Sequence, residues 1–267
     1  MDNFSFILTS NLSNFNDVKR RADQHLVNLG LAVTRSQAQA LIKAGEIFLG
    51  DVRIEKASAQ VSANALLTMK VPLHPWVGRG GQKLAAALEH FQLSPVGLIA
   101  LDVGASTGGF TDVLLAYGAA KVYAVDVGSG QLVEKLQQDP RVVQMDNVNA
   151  RYLTCDQIPD APNVIVCDAS FISLTLVLPA VLTLAAPDAW LVALIKPQFE
   201  VGKENIGKGG IVRDENLHAV ACDKIKTWLE NEMIWEMLGI IPSPITGTDG
   251  NREFLIAARN NKNRKAE

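Results

Sequence analysis

The stretch Leu101–Phe110, LDVGASTGGF, decides the fold, because an apolar strand runs into a glycine-rich turn and then into the start of a helix. LIALDV is short and apolar and ends at Gly104, while GGFTDVLLAYG has helical spacing and closes at Gly118. Gly104 permits a tight turn, and Gly108 and Gly109 leave room for a ligand at the new helix's free N–H groups. The next strand, KVYAVDV, brings Asp126 to a position where a carboxylate can take the two hydroxyls of a ribose. The loop therefore points to a nucleotide-type cofactor. Two other patterns overlap it. A dinucleotide fingerprint needs a glycine where Ser106 stands, and that side chain would crowd a pyrophosphate. G-x-S-x-G from Gly104 to Gly108 also matches a hydrolase nucleophile elbow, with His218 downstream, but only one helical segment, GGQKLAAALEHFQL, precedes it where several strands are expected.

Outward from this stretch, helices alternate with the apolar runs LIALDV, KVYAVDV, RVVQM, NVIVCD, WLVALIK, a stretch near LGIIPSPI, and EFLIAAR. That alternation predicts an α/β fold with a mainly parallel sheet covered on both faces and a ligand at the strands' carboxyl ends. Ala169–Pro187 carries no charge over about the length that spans a bilayer. It also holds two serines, two threonines and Pro179, without basic anchors, and a helix starting near Ser170 and packed on the sheet would read the same way.

The chain's 267 residues, 48% apolar, suffice for one sizeable domain and a smaller one. Cys155, Cys167 and Cys222 have no metal spacing and are odd in number, so neither a metal site nor a disulfide framework is expected, and a reducing, cytoplasmic setting fits. The opening MDNFSFILTSNLSNFND lacks the basic and apolar regions of a signal peptide and reads as a loose tail over residues 1–18. The net charge of −3 is uneven: residues 19–70 carry +4 and residues 71–267 carry −5, so a basic small module suited to a polyanion precedes an acidic larger one.

Within that module, KRRADQHLVNLG has helical spacing and stops at Gly30, and Thr34 caps RSQAQALIKAG, which stops at Gly45. EIFLGDVRI then reads as two short strands about a Gly50-Asp51 turn, followed by the alternating run ALLTMKV. Arg21, Asp23, Leu31, Thr34, Arg35, Ser36, Ala38, Leu41, Ile42, Gly45 and Gly50 make this segment resemble the S4-type RNA-binding domain, with Ala22 where that family has leucine. The resemblance implies that Arg20, Arg21, Arg35 and Lys43 face structured RNA. We place this module at residues 19–71, a proline- and glycine-rich linker at 72–80, the larger domain at 81–259 and a polar tail at 260–267.

Lys83 in the opening helix, Asp168 ending NVIVCD, Lys196 ending WLVALIK and Glu253 beginning EFLIAAR stand out as ionisable residues at the ligand-bearing edge. A lysine closing an apolar strand is costly to desolvate unless it is paired, so Lys196 is either a snorkelling edge residue or a functional group. In order and context the four resemble the K-D-K-E set of FtsJ-like ribose 2′-O-methyltransferases. The runs RGGQKLAAAL, LDVGASTGGFTDVLL, YAVDVGSGQL, CDASFISL, LIKPQFEVG, GKGGIVRD and GNREFLI extend that likeness to the TlyA family, in which an S4-type domain precedes an FtsJ-like domain.

The resemblance implies a Rossmann-like, S-adenosylmethionine-dependent enzyme that methylates a ribose 2′-hydroxyl, of cytidine, in ribosomal RNA or ribosomal subunits, without a metal and without a membrane. It implies Lys196 as the base, Lys83 and Glu253 as its tuning partners, and Asp168 beside both the lysine and the donor. Gly104, Ser106 and Gly108 would line the donor's methionine end, Asp126 its ribose and Asp146 its adenine. QMDNVNAR departs from the family's usual E-R-T-N-A-R at Asp146 and Val148, and Ser129 stands where an aromatic residue is common. KPQFEVGKENIGKGGIVRD is too long for a plain connection and offers Lys203, Lys208 and Arg213 to phosphates. Two other readings carry the same motifs or name: an RNA-binding protein with a catalytically quiet methyltransferase-like domain, and a membrane-active hemolysin. The target nucleotide and the oligomeric state stay open.

Overall fold

The computed structural model describes residues 18–32, 34–69, 74–247 and 249–261. Most of both expected tails, residues 1–17 and 262–267, and the start of the linker therefore lie outside the described residues.

The chain enters through β1 (Lys19–Arg21), α1 (Ala22–Asn28) and α2 (Arg35–Ala44), then β2 (Ile47–Leu49), β3 (Val52–Arg53), β4 (Gln60–Ser62) and β5 (Leu67–Met69). The helix expected from Lys19 begins only at Ala22. Three consecutive basic residues carry no apolar period, and they extend instead along β4, with Arg20 opposite Val61. Helix α2 starts as its sequence dictates, with Thr34 Oγ1 accepting from the Gln37 N–H at 3.1 Å. Strands β2, β3 and β5 form one small antiparallel sheet. Leu26, Ile42, Ile47, Val61 and Leu67 fill the core of this part.

The rest of the chain runs α3 (Gly80–His90), β6 (Ile99–Val103), α4 (Gly109–Ala116), β7 (Lys121–Val125), α5 (Glu134–Gln137), β8 (Val142–Met145), β9 (Val164–Cys167), α6 (Leu174–Thr183), β10 (Trp190–Ile195), α7 (Glu215–Asn231), β11 (Trp235–Pro242) and β12 (Phe254–Asn260). Every apolar run read as a strand pairs into one seven-stranded sheet, in the order β11-β12-β10-β9-β6-β7-β8. Strands β6 to β10 are parallel, and β12 is antiparallel to both of its neighbours. All six residues of β10 are buried because the sheet is covered twice: Trp190, Val192 and Leu194 face one apolar cluster, and Leu191, Ala193 and Ile195 the other.

Strand order reverses between β6 and β9, so their carboxyl ends diverge into the crevice where α/β sheets bind ligands. The uncharged Ala169–Pro187 segment lies here. Its helix starts at Leu174, capped by Ser173, and not near Ser170, because Phe171 holds φ +65° and interrupts helical geometry. Leu174, Val177, Leu178, Val181 and Leu182 are buried at helical spacing, which accounts for the apolar composition. Among the described residues no helix is long and apolar enough to cross a membrane.

Candidate active site

Four charged side chains from four elements meet at the carboxyl edge of the sheet. Lys83 projects from the first turn of α3, Asp168 and Lys196 follow β9 and β10, and Glu253 precedes β12. The antiparallel sense of β12 brings its first residues to the edge where the parallel strands end. Lys83 Nζ donates to Glu253 Oε2 at 2.7 Å and lies 3.5 Å from Asp168 Oδ2. Lys196 Nζ lies 2.7 Å from Asp168 Oδ1 and donates to Ser170 Oγ at 2.7 Å and to the Asp168 carbonyl at 3.2 Å. The result is a continuous row, Glu253–Lys83–Asp168–Lys196, of two cations and two carboxylates. Lys83, Lys196 and Glu253 are buried, while Asp168 keeps 21% of its side chain open.

Burial alone would make Lys83 a weaker base, but the charges of Asp168 and Glu253 outweigh it and hold its pKa above the ordinary lysine value. Desolvation likewise pushes Asp168 upward, and the two ammoniums beside it prevail and keep its carboxyl below the usual range. Lys83 is thus a fixed cation and Asp168 a fixed anion. Ser170, read from the sequence only as the vicinity of a helix start, is a direct partner of Lys196.

The glycine-rich turn stands beside this row. Gly104, Ser106 and Gly109 line the same cleft as Lys83, Asp168, Lys196 and Glu253. Gly108 is not among the residues lining it: it caps α4 with φ +99°, and a Cβ there would run into Leu136 Cδ1 and Leu132 Cδ1. The side of Gly108 that a side chain would occupy is filled by the chain's own leucines. Asp126, after β7, accepts from the Ser106 N–H at 2.8 Å and the Gly128 N–H at 2.7 Å. Asp146, after β8, accepts from the Gly130 N–H and Gln144 Nε2, both at 2.8 Å. Each carboxylate pins a loop and retains acceptor capacity.

This donor set fits S-adenosylmethionine. Asp126 and Asp146 stand at the ends of the adjacent strands β7 and β8, where carboxylates can take the hydroxyls of a ribose and the edge of its base, and Asp168 adds a third carboxylate beside the place of a cationic sulfonium.

Two further residues escaped the sequence reading. Asp102, inside β6, is fully buried and accepts from Thr111 Oγ1 at 2.7 Å; burial pushes its pKa up to about 7. Phe171 is 87% exposed at the cleft's rim, its ring centroid 5.4 Å from that of Phe199, and offers an apolar face on which a base can stack. The signal for Asp102 was an acid within an apolar strand, and that for Phe171 an aromatic directly after the polar Asp168-Ala169-Ser170 turn.

The basic residues expected to face RNA divide into groups. Arg21 donates to both oxygens of buried Asp23, at 3.0 and 2.9 Å, and Arg35 reaches the same carboxylate at 3.1 Å. Arg20 is exposed on β1. Lys43, exposed on α2, lines the cleft that holds the four charged residues. Lys203, Lys208 and Arg213 are exposed along the long loop after β10. That loop is tied down by Asn251, which accepts from the Val212 N–H at 2.9 Å and donates to the Gly210 carbonyl at 3.0 Å.

An open-edged α/β sheet with this row of charges at its switch point defines the class: residues 76–260 match the FtsJ-like methyltransferase family, and residues 20–67 match the S4 domain. The chain belongs to the FtsJ-like methyltransferase family. Within it, the chain belongs with the TlyA group, being 44% identical to the 16S/23S rRNA (cytidine-2'-O)-methyltransferase TlyA of Mycobacterium tuberculosis over 92% of each chain. It is 39% identical to Hemolysin A of Brachyspira hyodysenteriae, over 88% of this chain and 98% of that one. A solved structure of a hemolysin-named protein from Streptococcus thermophilus is 41% identical, with a TM-score of 0.72, over 91% of this chain and 89% of the other.

Proposed function

We propose that this methyltransferase modifies a ribose 2′-hydroxyl of ribosomal RNA in the cytoplasm, with S-adenosylmethionine as donor and cytidine as the target nucleoside. The observation that carries the proposal is the Glu253–Lys83–Asp168–Lys196 row at the cleft beside the glycine-rich turn. Bound S-adenosylmethionine supplies an electrophilic methyl group on a sulfonium. Gly104 and Ser106 would hold its methionine end, Asp126 and Asp146 its ribose and adenine, and Asp168 would lie on the side of the reacting carbon.

The enzyme's own task is to aim the hydroxyl and take its proton. Lys196, as the free amine, would accept that proton as the C–O bond forms and the methyl–sulfur bond breaks, its electron pair staying on sulfur as a neutral thioether. Asp168 and Ser170 fix the direction of its Nζ. Lys83, a permanent cation on the other oxygen of Asp168, holds that carboxylate in place from the opposite side, and Glu253 balances the charge of Lys83. Phe171 stacks on the target base, and Arg20, Arg21, Arg35 and Lys43 with the loop cations Lys203, Lys208 and Arg213 meet phosphates. The uncharged segment that raised a membrane role packs its apolar side against the sheet, and no observation favours a quiet domain.

The test is transfer of labelled methyl from S-adenosylmethionine to ribosomal subunits lacking the modification, with the product nucleoside identified. A 2′-O-methylated cytidine formed by the enzyme and not by Lys196→Ala is the expected result. Absence of transfer to any ribosomal RNA overturns the reading.

A further inference from the structure

Helix α2 ends at Gly45, with φ +80°, where two arginines from different parts of the chain converge. A Cβ on Gly45 would meet Arg79 Cδ at 2.9 Å and Arg53 Nη1 at 3.0 Å. Arg53 comes from β3 of the S4 domain, and Arg79 immediately precedes α3, one helical turn before Lys83 and about 6 Å from it along the axis. Among the described residues neither guanidinium is saturated: Arg53 has an exposed pair with Glu55 at 3.3 Å, and Arg79 donates to the Thr246 carbonyl at 3.0 Å. Burial, then the charge of Arg53, draws the pKa of Arg79 below its ordinary value, so bringing these like charges together has a cost.

A groove of about 450 Å³ opens at this point, lined by Lys43, Arg53, Lys56 and Arg79 against only two carboxylates, Glu55 and Asp249. It adjoins the catalytic cleft, since Lys43, Arg79 and Asp249 line both. An excess of forked cations gathered across two domains favours a phosphate, which guanidinium binds in a bidentate manner. The groove leads into the cleft where the ribose must sit, so the anion that satisfies it is part of the same strand.

We propose that Arg53, Arg79 and Lys43 form a composite site for the backbone phosphate next to the target ribose, so that the S4 domain completes the active-site cleft in addition to tethering RNA. This rests on the reading of the enzyme as an RNA ribose methyltransferase.

Arg53→Gln, Arg79→Gln and the charge-retaining Arg53→Lys would be compared with the unaltered enzyme. Three quantities are read: binding to unmodified ribosomal subunits across a salt series, single-turnover methyl transfer at saturating subunits, and S-adenosylmethionine binding by calorimetry. Each glutamine variant is expected to make the slope of log K against log salt shallower by about one, to slow single turnover at least tenfold, and to bind the cofactor as before. Arg53→Lys should keep the slope and recover part of the rate, which a merely misfolded variant would not do. Unchanged slopes and rates overturn the proposal, and a reduced slope with an unchanged single-turnover rate overturns the placement beside the target ribose. If the unaltered enzyme transfers no methyl, the functional reading fails, while the salt slopes still decide whether the groove holds phosphate.

Discussion

The ammonium of Lys83 lies 2.7 Å from the carboxylate of Glu253, a buried pair between residues 170 positions apart in the chain. Removing one charge of such a pair leaves the other desolvated. Glu253→Gln should therefore lower stability by about 3 kcal/mol, the usual cost of breaking a buried ion pair. Urea denaturation at neutral pH measures it. A loss below 0.5 kcal/mol would mean that Asp168 alone compensates Lys83.

Lys196→Ala should slow the methyl-transfer step by a factor of about 10² to 10⁴, the range of a lost general base, while S-adenosylmethionine still binds. Single-turnover rates distinguish the two proteins, and a full rate in the alanine variant would remove Lys196 from the proton step.

Asp23 gives the S4 domain an acid-sensitive stability. The bond from Arg21, opposed by burial and supported by Gln39 and Arg35, holds its carboxyl well below the usual range. A depressed carboxyl stabilises the fold above its unfolded pKa, near 4, and that contribution is lost as pH falls toward the folded value. Asp23→Asn should cost about 2 kcal/mol at pH 7, with the difference from the unaltered protein shrinking in strong acid. Denaturation series at pH 7, 5 and 3 check the trend.

Asp102 has the opposite sign. With its pKa raised to about 7 by burial, the folded protein binds a proton that the unfolded chain releases near pH 4. Stability from this group is full below the unfolded pKa and declines as pH rises through the folded one. Asp102→Asn keeps an acceptor for Thr111 and removes the titration, so its stability should vary less between pH 5 and 8. Parallel slopes for the two proteins would show that Asp102 is charged throughout.

The sheet was legible in the sequence because strands buried on both faces appear as uninterrupted apolar runs, as in β10. The strand β1 was not, since Lys19–Arg21 carries only charge, and neither was β4, whose three residues, QVS, show no usable period. The start of α6 moved because the left-handed backbone at Phe171 lies outside what residue type reveals. Lys83, Asp168, Lys196 and Glu253 were singled out from strand ends and a family pattern, but their order of contact, with Asp168 between the lysines, depends on four elements meeting in space. Gly108 shows the converse limit: a glycine announces missing volume, and only packing shows that Leu132 and Leu136 occupy it.

Because β12 lies between β10 and β11, the earlier-synthesised β11 can join the sheet only through a strand that leaves the ribosome after it. Glu253 arrives with that strand. During translation, Lys83 therefore remains without its 2.7 Å partner until residue 253 has emerged, and the row of charges closes only when β12 is inserted between β10 and β11. Synthesis order thus sets when the four charges can meet.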